Sequence, residues 1–292
     1  MIIAGCTCLT RLLTLLFCRV FKIRFAFWSD TPNLKKARGL IKRKVRTFII
    51  QWIINNAEMI LTTGEVGVNA YRIMGCPEQK LRNLPFATDL DGPAHPGPDV
   101  LACAERLKAR FAPRGEIIFI AAGQLVPRKE YAIAIQAFHQ ALGAGANQPA
   151  VFLIAGAGSQ QGYLQELIAA LGLSNRVHLL GWRQPEEMHG VFSAGSVLVH
   201  TANWDPYPNA ILEAMAWGLP VLASHQSMSA VDRVIPGESG FIHPVGDIAA
   251  LAQQMQYFLQ EPSRINRMGA KARLTAEQWP VSRCVQTIRD LA

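Results

Sequence analysis

Residues 203–220 read Asn-Trp-Asp-Pro-Tyr-Pro-Asn-Ala-Ile-Leu-Glu-Ala-Met-Ala-Trp-Gly-Leu-Pro. Two carboxylates in this stretch, Asp205 and Glu213, are separated by seven residues. Asp205 precedes a turn that is broken by prolines, and Glu213 falls on the helix that the turn opens. An isolated pair at this spacing is more often a turn cap and a solvated helix residue, so the rest of the chain decides its meaning.

A helix is predicted over residues 209–217. Asn209 is a good N-cap, and Gly218 with Pro220 ends the helical pattern. The first turn of a helix offers free backbone N–H groups and the positive end of the helix dipole, which together favour an anion. A carboxylate one turn inside cannot bind phosphate, but it can accept hydrogen bonds from sugar hydroxyls. The stretch therefore suits a nucleotide diphosphate attached to a sugar.

The whole chain alternates short β-rich runs with helical patterns, which is typical of parallel sheets wrapped by helices. Strands are predicted at residues 2–4, 24–28, 58–62, 80–85, 117–122, 151–155, 177–180, 197–201 and 221–223. Helices are predicted at residues 34–56, 66–74, 99–111, 130–142, 160–172, 185–194, 209–217 and 247–259. The sequence therefore predicts an α/β protein, and its 292 residues are enough for two domains of ordinary size.

Residues 87–98 form the clearest cluster of breaker residues, Ala-Thr-Asp-Leu-Asp-Gly-Pro-Ala-His-Pro-Gly-Pro, and predict a domain linker. We expect a partial first domain at 1–95 and a second domain at 96–275. Residues 276–292 are expected to form a C-terminal helix that crosses back to the first domain.

Positive charge is concentrated at the start of the chain. The net charge is +8, and residues 1–60 hold eleven Lys and Arg against Asp30 and Glu58, a net of +9. Seven of these basic residues fall within residues 35–46. On a helix such a run forms either a solvated face or a surface that adsorbs to anionic lipid. Nucleic acid is disfavoured as a partner, because no recognition motif accompanies the charge.

Residues 1–21 are apolar, but Arg11 and Arg19 interrupt them and no basic segment precedes them. A strand, a loop and a helix fit this stretch better than a signal peptide or a membrane span. The six cysteines show no paired C-x2-C spacing: Cys6, Cys8, Cys18, Cys76, Cys103 and Cys284. This favours buried, reduced thiols of a cytosolic protein over disulfides or a zinc site.

At Asp205 and Glu213 the chain resembles the retaining glycosyltransferases of family four, whose hallmark at this place is Glu-x7-Glu. A second motif begins at Gly123 and reads Gly-Gln-Leu-Val-Pro-Arg-Lys-Glu. It follows a predicted strand, where ligands of open α/β sheets bind. It resembles the Gly-Arg-Leu-x-x-x-Lys-Gly loop of the family, whose arginine and lysine clamp the donor diphosphate. Lys129 matches the lysine.

Gln124 takes the arginine position of this motif and brings no charge, and Arg128 is a candidate to compensate. Loss of one cation weakens stabilisation of the departing diphosphate. Without the resemblance, Lys129 reads as a solvated lysine at the start of a helix. Either Arg128 compensates for the missing arginine, or the activity of the chain is low.

Three weaker signals follow the family pattern. Gly156, in Ala-Gly-Ala-Gly, resembles a Gly-x-Gly turn, and a mere tight turn is the alternative. Gly181 resembles the glycine after which the family backbone contacts the nucleobase, and Trp182 either stacks near the base or is a partly buried surface tryptophan. Residues 236–247 match a structural signature that carries no chemistry.

The first part of the chain offers fewer candidates. Family members often carry a histidine at the end of a first-domain strand, and this chain has Phe-Trp-Ser-Asp there, so Ser29 and Asp30 are candidates for acceptor contacts. Asp89 and Asp91 look like a D-x-D metal motif, but they fall in an interdomain segment of the family, so we expect no metal. None of the seven histidines lies at a catalytic spacing, so each is interpreted as a satisfied or exposed residue.

The resemblance implies a GT-B-like fold with two Rossmann-like parallel-sheet domains, the first of them incomplete. It implies transfer of a sugar from a nucleotide-sugar donor to a glycan or lipid-linked acceptor with retention, and it implies no cofactor. Catalytic roles fall on Asp205, Glu213 and Lys129. The implied donor-binding residues are Gly123, Gln124, Arg128, Gly156, Gly181, Trp182, Tyr207, Pro208, Asn209 and Ala210.

Two other functions compete with this one. The first is a nucleotide-sugar-binding remnant or partner subunit with little or no catalysis, which Gln124 and the incomplete first domain favour. The second is a sugar-nucleotide epimerase, whose expected histidine and carboxylate set is absent. We expect a cytoplasmic protein, with a peripheral position on the inner face of the plasma membrane through residues 35–46 as a further expectation.

Overall fold

The computed structural model of the chain describes residues 1–5, 8–34, 39–84, 86–143 and 149–290. These residues form two compact units, chiefly Met1–Phe86 and Ala87–Arg289. Each unit contains one parallel sheet, which confirms the predicted α/β class. Some residues of the sequence predictions lie outside the described ranges, namely Cys6, Lys35, Lys36, Arg38 and Pro85.

The first unit has a four-stranded sheet in the order β1-β2-β3-β4, with every neighbouring pair parallel. Its strands are β1 (Ile2–Ala4), β2 (Ala26–Ser29), β3 (Met59–Thr62) and β4 (Leu81–Asn83). Its helices are α1 (Leu9–Val20), α2 (Leu40–Asn56) and α3 (Gly64–Ile73). Its core is one cluster that includes Leu15, Phe27, Ile53, Ile60 and Tyr71.

The second unit has a six-stranded parallel sheet in the order β10-β9-β8-β5-β6-β7. Its strands are β5 (Ile117–Ala122), β6 (Ala150–Ala155), β7 (Val177–Gly181), β8 (Val197–His200), β9 (Val221–Ser224) and β10 (Gly240–His243). Its helices are α4 (Asp91–Ala94), α5 (Pro98–Phe111), α6 (Tyr131–Gly143), α7 (Gln161–Ala170), α8 (Pro185–Ala194), α9 (Asn209–Ala216), α10 (Met228–Arg233), α11 (Ile248–Gln260), α12 (Ser263–Ala276) and α13 (Val281–Arg289).

Strands β5 and β6 are buried along their whole length. They are continuous apolar runs, as expected of parallel strands covered on both faces. Alternate side chains of β5 enter two different cores: Phe119 packs in one cluster and Ile120 in the other. This two-sided burial fixes the sheet, so the loops at the carboxyl ends of its strands start from a rigid base.

Helix α9 ends at a glycine, as predicted. Gly218 has a φ of +73°, its N–H donates to Met215 O, and Leu219 N–H donates to Ala214 O. This pair of bonds is the Schellman arrangement, and it satisfies carbonyls that the helix leaves open. The predicted start at residue 209 is confirmed, but the predicted N-cap is wrong: Pro208 is the N-cap, it makes no side-chain capping bond, and Asn209 is the first helical residue.

Several elements were not predicted, namely β10, α10 and α12. The predicted linker at 87–98 is also more ordered than expected, because it contains α4. Asp89 explains that helix, since its carboxylate accepts hydrogen bonds from the N–H groups of Asp91 and Gly92. The D-x-D aspartate therefore caps a helical turn.

The five described cysteines are free thiols, but only Cys18 and Cys76 are buried, so the expectation of a buried set is wrong for the others. Residues 1–21 contain the strand β1 and the helix α1, as predicted, and the predicted loop between them includes residues outside the described ranges. No helix within the described ranges has the length and apolar character needed to cross a membrane.

Candidate functional site

The candidate site lies at the carboxyl edge of three neighbouring strands, β5, β8 and β9. Ligands of open parallel sheets bind at this edge. The loop after β5 carries Lys129, β8 ends on His200 and is followed by Asp205, and β9 ends on Ser224. Because the strands are adjacent, residues far apart in the sequence meet here.

Lys129 is fixed by an unusual backbone turn. It ends a short 3-10 turn, and Glu130 after it has a φ of +51°, where the resembled family has glycine. The Thr201 hydroxyl donates to the carbonyl oxygens of Lys129 (2.9 Å) and Glu130 (3.0 Å). A non-glycine residue in this left-handed region costs roughly 1–3 kcal/mol, so the surroundings must hold the turn in place.

Lys129 and Asp205 form a buried ion pair. The Nζ of Lys129 lies 2.5 Å from Oδ2 of Asp205, and the two residues are 9% and 6% exposed. Arg128 Nη1 lies 3.6 Å from the same oxygen, with its side chain largely exposed. The interpretation of Lys129 as a solvated lysine is therefore wrong, and so is that of Asp205 as a turn cap at the surface.

His200 completes this cluster. Its Nε2 lies 3.4 Å from Asp205 Oδ2 and 3.3 Å from Lys129 Nζ, while its Nδ1 lies 2.8 Å from the Ser227 hydroxyl. Burial lowers the pKa of His200, against the opposing effect of the neighbouring Asp205 carboxylate, so the imidazole is neutral at pH 7. Burial alone raises the pKa of Asp205, but its contact with His200 and the charge of Lys129 outweigh burial and hold this pKa well below its usual range.

Backbone bonds hold Asp205 in this position. Its N–H donates to Gln226 O at 3.0 Å, and its carbonyl accepts from Met228 N–H at 3.1 Å. Asn203 N–H donates to Arg128 O at 2.9 Å. The Asp205 loop is thereby tied both to the loop after β9 and to the Lys129 turn, which makes the ion pair preorganised.

Glu213 has different surroundings. It lies on α9 and is partly buried, and burial raises its pKa, against a smaller lowering by His189 of α8. No cation lies within ion-pair distance of it among the described residues. The interpretation of Glu213 as a fully solvated residue is therefore wrong.

Three predicted glycines lie side by side at the ends of β5, β6 and β7. The N–H of Gly156 donates to Gly181 O at 2.8 Å. A Cβ on Gly156, whose φ is +152°, would lie 1.9 Å from the carbonyl oxygen of Gly123. Only glycine fits this close approach, which leaves a stretch of bare backbone at the edge of the sheet.

The remaining predicted donor-binding residues differ in what they can offer. Tyr207 is buried, its hydroxyl donates to Asp232 at 3.2 Å, and Arg233 lies over its ring. Pro208 has no N–H, so the predicted set of amide donors over 207–210 loses one member. Asn209 and Ala210 lie in the first turn of α9, where N–H groups have no helical partner.

Trp182 lies at the surface and is 64% exposed, so its stacking near the base stays a prediction. The side chain of Gln124 is exposed as well. Ser29 lies at the end of β2 in the first unit, where its hydroxyl is 2.6 Å from Tyr71 OH and donates to the carbonyl of Asp30. The described residues contain no group of three His, Cys, Asp or Glu side chains that could hold a metal ion.

Sequence reasoning missed two residues of the site, His200 and Ser227. The histidine was interpreted as uninvolved because no serine, cysteine or second histidine stands at a catalytic spacing. A better signal was its place near the end of a predicted strand, five positions before Asp205. Ser227 has no sequence signal, because its partner His200 comes from the neighbouring strand.

The sequence pattern of the family described as Glycosyl transferases group 1 matches residues 104–275. An exopolysaccharide phosphotransferase, SCO2592 of Streptomyces coelicolor, is 29% identical over 180 residues, which cover 60% of this chain and 19% of that protein. The lipopolysaccharide core biosynthesis glycosyltransferase LpsE of Rhizobium meliloti is 28% identical over 159 residues, which cover 54% of this chain and 44% of that protein. The chain thus spans less than half of either relative.

Solved structures share the fold. The crystal structure of Anabaena Alr3699/HepE in complex with UDP matches with a TM-score of 0.84 and 19% sequence identity. The match covers 99% of this chain and 78% of that chain. At this identity the likeness concerns the fold, which confirms the GT-B-like architecture that the resemblance implied.

Proposed function

Because the chain belongs to the glycosyl transferases group 1 family, we propose that it transfers a sugar from a nucleotide-sugar donor to an acceptor. The observation that carries this proposal is the buried Lys129–Asp205 pair at the carboxyl edge of the second sheet, close in sequence to the amino end of α9. A preorganised cation and the free N–H groups of a helix N-terminus both suit a diphosphate, and the carboxylate suits sugar hydroxyls. HepE was crystallised in complex with UDP, which supports a nucleoside diphosphate as the common ligand.

Each residue takes a role in this proposal. Lys129 and the N–H groups of Asn209 and Ala210 bind the diphosphate. Asp205 accepts hydrogen bonds from hydroxyls of the donor sugar, and Glu213 accepts them from the ribose. Two opposite environments support this division. Asp205 is held ionised by neighbouring cations. Glu213 has no ion-pair partner among the described residues, so no cation competes with a ligand hydroxyl for its carboxylate.

The other contacts with the donor involve exposed backbone and side chains at the carboxyl edge of the second sheet. Gly123 and Gly156 allow the diphosphate to approach closely, and the backbone after Gly181 contacts the base, with Trp182 beside it. Gln124 supplies a neutral hydrogen bond to the diphosphate, and Arg128 supplies the charge that Gln124 lacks. Arg128 can turn toward a ligand because its side chain is largely exposed.

The reaction proceeds with retention in this proposal. The bond between the anomeric carbon and the diphosphate oxygen breaks, and the acceptor oxygen bonds to the same carbon from the same face. The acceptor proton passes to the departing phosphate oxygen, so no protein nucleophile is required. Charge that develops on the diphosphate is stabilised by Lys129 and the helix N–H groups.

The acceptor is proposed to be a glycan or a lipid-linked sugar of the cell envelope. The relative LpsE is a glycosyltransferase of lipopolysaccharide core biosynthesis, which supports this class. Ser29 and Asp30 are proposed acceptor-side residues of the partial first domain at 1–95. Donor binding is assigned to 96–275, with 276–292 as the C-terminal helical segment.

We also propose that the first unit adsorbs peripherally to the cytoplasmic face of an anionic membrane. On α2, Ile41, Val45 and Phe48 share one face and are all exposed, with Ile41 80% exposed and Phe48 72% exposed. Exposed Lys42 and Lys44 flank this stripe. On α1, five apolar side chains are more than half exposed: Leu9, Leu13, Leu16, Phe17 and Val20. Apolar residues bordered by cations are the signature of helices that lie in a lipid interface.

Co-sedimentation with vesicles tests this surface. The protein is expected to bind vesicles that contain phosphatidylglycerol and not vesicles of phosphatidylcholine alone. Lys42→Gln with Lys44→Gln should weaken binding by about 1 kcal/mol per lysine near the surface, whereas Lys271→Gln on α12 is the matched control. Equal binding to both vesicle types, or equal loss with the control, would contradict the proposal.

Sugar transfer itself is tested with a panel of nucleotide sugars, with product and anomeric configuration followed by NMR. The wild-type protein is expected to consume one donor with retention, and Asp205→Ala and Glu213→Ala should each abolish or strongly reduce turnover. Circular dichroism checks that both variants fold. Unchanged activity in both variants would reject the proposed roles. Nucleoside diphosphate binding with no turnover of any donor would favour the binding subunit instead.

A further inference from the structure

Ser227 is placed as a helix cap but does not act as one. It is the N-cap residue of α10, a position where a serine hydroxyl normally accepts a backbone N–H of the first turn. It makes no such bond. Its hydroxyl lies instead 2.8 Å from His200 Nδ1 and 3.1 Å from the hydroxyl of Ser224. The Ser227 hydroxyl therefore contacts the site and does not cap α10.

The hydrogen bonds of this chain of groups have a fixed direction. The Ser224 hydroxyl donates its single hydrogen to the carbonyl oxygen of Ala202 at 2.5 Å, because a carbonyl can only accept. Ser224 can then only accept from Ser227. Ser227 has used its own hydrogen on Ser224, so it can only accept from the ring of His200.

The direction of these bonds decides which ring nitrogen of His200 carries its hydrogen. Ser224 and Ser227 are fully buried, so no water supplies an alternative partner. A neutral imidazole has one N–H, and here it must be Nδ1–H. Nε2 is then an acceptor, and it lies 3.3 Å from the ammonium of Lys129. The low pKa that burial gives His200 is consistent with a neutral ring.

From this chain of contacts we infer that His200 is a positioning residue that aims the Lys129 ammonium at the donor diphosphate. Nε2 of His200 and Oδ2 of Asp205 both accept from Lys129, which is why these two acceptors can lie 3.4 Å apart. Two of the three N–H groups of Lys129 are thereby directed, and the third is left for a ligand. The identity of that ligand as a diphosphate rests on the proposed function. The hydrogen bond from Lys129 to His200 rests on geometry alone.

The preorganised arrangement matters because a flexible lysine otherwise samples many conformations. Anchoring two of its three donors fixes the direction of the third before a ligand arrives. Charge stabilisation is most effective when the donor need not reorganise during the reaction. His200 therefore contributes without touching the substrate, which separates its role from that of Lys129.

The first test is 15N NMR of the His200 ring at pH 7 in ligand-free protein. We expect a pyrrole-like Nδ1 and a pyridine-like Nε2. In Ser224→Ala, Ser227 loses its acceptor, so it should donate to Nδ1 and shift the ring toward the Nε2–H form. A ring protonated on Nε2 or on both nitrogens in the wild-type protein would overturn the inference.

The second test compares His200→Gln with His200→Asn by calorimetric titration of UDP and GDP. The amide of glutamine reaches the Nε2 position and can accept from Lys129, whereas asparagine reaches only the Nδ1 position. Asparagine should weaken nucleotide binding roughly tenfold or more, as expected for a lost bond to a charged group. Glutamine should retain most of the affinity.

Equal affinities in folded glutamine and asparagine variants would contradict a role of His200 as an acceptor for Lys129. If the wild-type protein binds neither UDP nor GDP, the proposed function is wrong. The inference that His200 directs Lys129 toward a diphosphate is then wrong as well. The ring tautomer, measured without ligand, still decides the hydrogen bond between His200 and Lys129. The two failures are therefore distinguishable.

Discussion

The loop that carries Asp205 and the helix that carries Glu213 place two carboxylates of one motif in opposite surroundings. Around Asp205, buried Lys129, exposed Arg128 and neutral His200 converge on a single oxygen. Around Glu213, burial raises the carboxyl pKa and only His189 lowers it. Carboxylates whose environments push their pKa values apart usually take different roles. We therefore expect the two carboxylates of the motif to have separate tasks.

The buried cation should matter most. Lys129→Met leaves the Asp205 carboxylate buried without its nearest partner, so we expect the free energy of unfolding to fall by about 3 kcal/mol and binding of a nucleoside diphosphate to be lost. Chemical denaturation and calorimetry measure the two effects. In a double-mutant cycle with Asp205→Asn, the double variant should lose less than the sum of the single losses, by on the order of 1 kcal/mol or more. Additive losses would show that the pair is not coupled.

Acid should weaken the Asp205 region selectively. Because the pKa of Asp205 is lowered in the folded protein, the stability it contributes is present above the unfolded pKa of about 4 and is lost as the pH falls below it. The stability difference between wild type and Asp205→Asn should thus shrink as the pH falls from about 5 to about 3. Urea unfolding over this range provides the comparison. A constant difference would indicate that Asp205 is not held ionised.

The Glu213 region should respond with the opposite sign. Because its pKa is raised on folding, Glu213 contributes stability below the unfolded pKa of about 4.3 and loses it as the pH rises through the folded pKa. Glu213→Gln removes a poorly solvated charge, so at pH 7 the variant should be at least as stable as the wild type in thermal unfolding. Its affinity for UDP or GDP should nevertheless fall. If Glu213→Gln were clearly less stable than the wild type at pH 7, the proposed difference between the Asp205 and Glu213 environments would be wrong.

The exposed cation should matter least. Arg128 lies 3.6 Å from Asp205, and its side chain is 46% exposed, so water screens the pair. Arg128→Gln should change the free energy of unfolding by less than about 1 kcal/mol. A loss as large as that of Lys129→Met would show that Arg128 is the main partner of Asp205.

Most of the fold could be predicted because its strands are short, continuous apolar runs. The run Ile-Ile-Phe-Ile-Ala-Ala fixed β5 to the residue. Strand β10 was missed because Gly-Phe-Ile-His is brief and lies in a glycine-rich segment. Helix α12 was missed partly because Gly269 interrupts it. In the structure a Cβ on Gly269 would lie 2.0 Å from the Gly218 carbonyl oxygen, so that glycine permits close helix packing.

The site was only partly predictable, for a related reason. Lys129, Asp205 and Glu213 follow a family pattern that a single sequence displays. The contacts of His200 with Lys129 and of Ser227 with His200 join different strands, and sequence spacing carries no information about them. Pattern reasoning also cannot tell that Asp205 is ion-paired and Glu213 is not, because that difference depends on burial and on neighbours from other loops.

A crystal structure with bound UDP or GDP tests the central claim most directly, that the Asp205 region and the Glu213 region grip different parts of the donor. We expect a phosphate oxygen within hydrogen-bond distance of Lys129 Nζ and of the first-turn N–H groups of α9, and ribose hydroxyls at Glu213. A nucleotide whose phosphates lie away from Lys129, or whose ribose lies away from Glu213, would contradict the account.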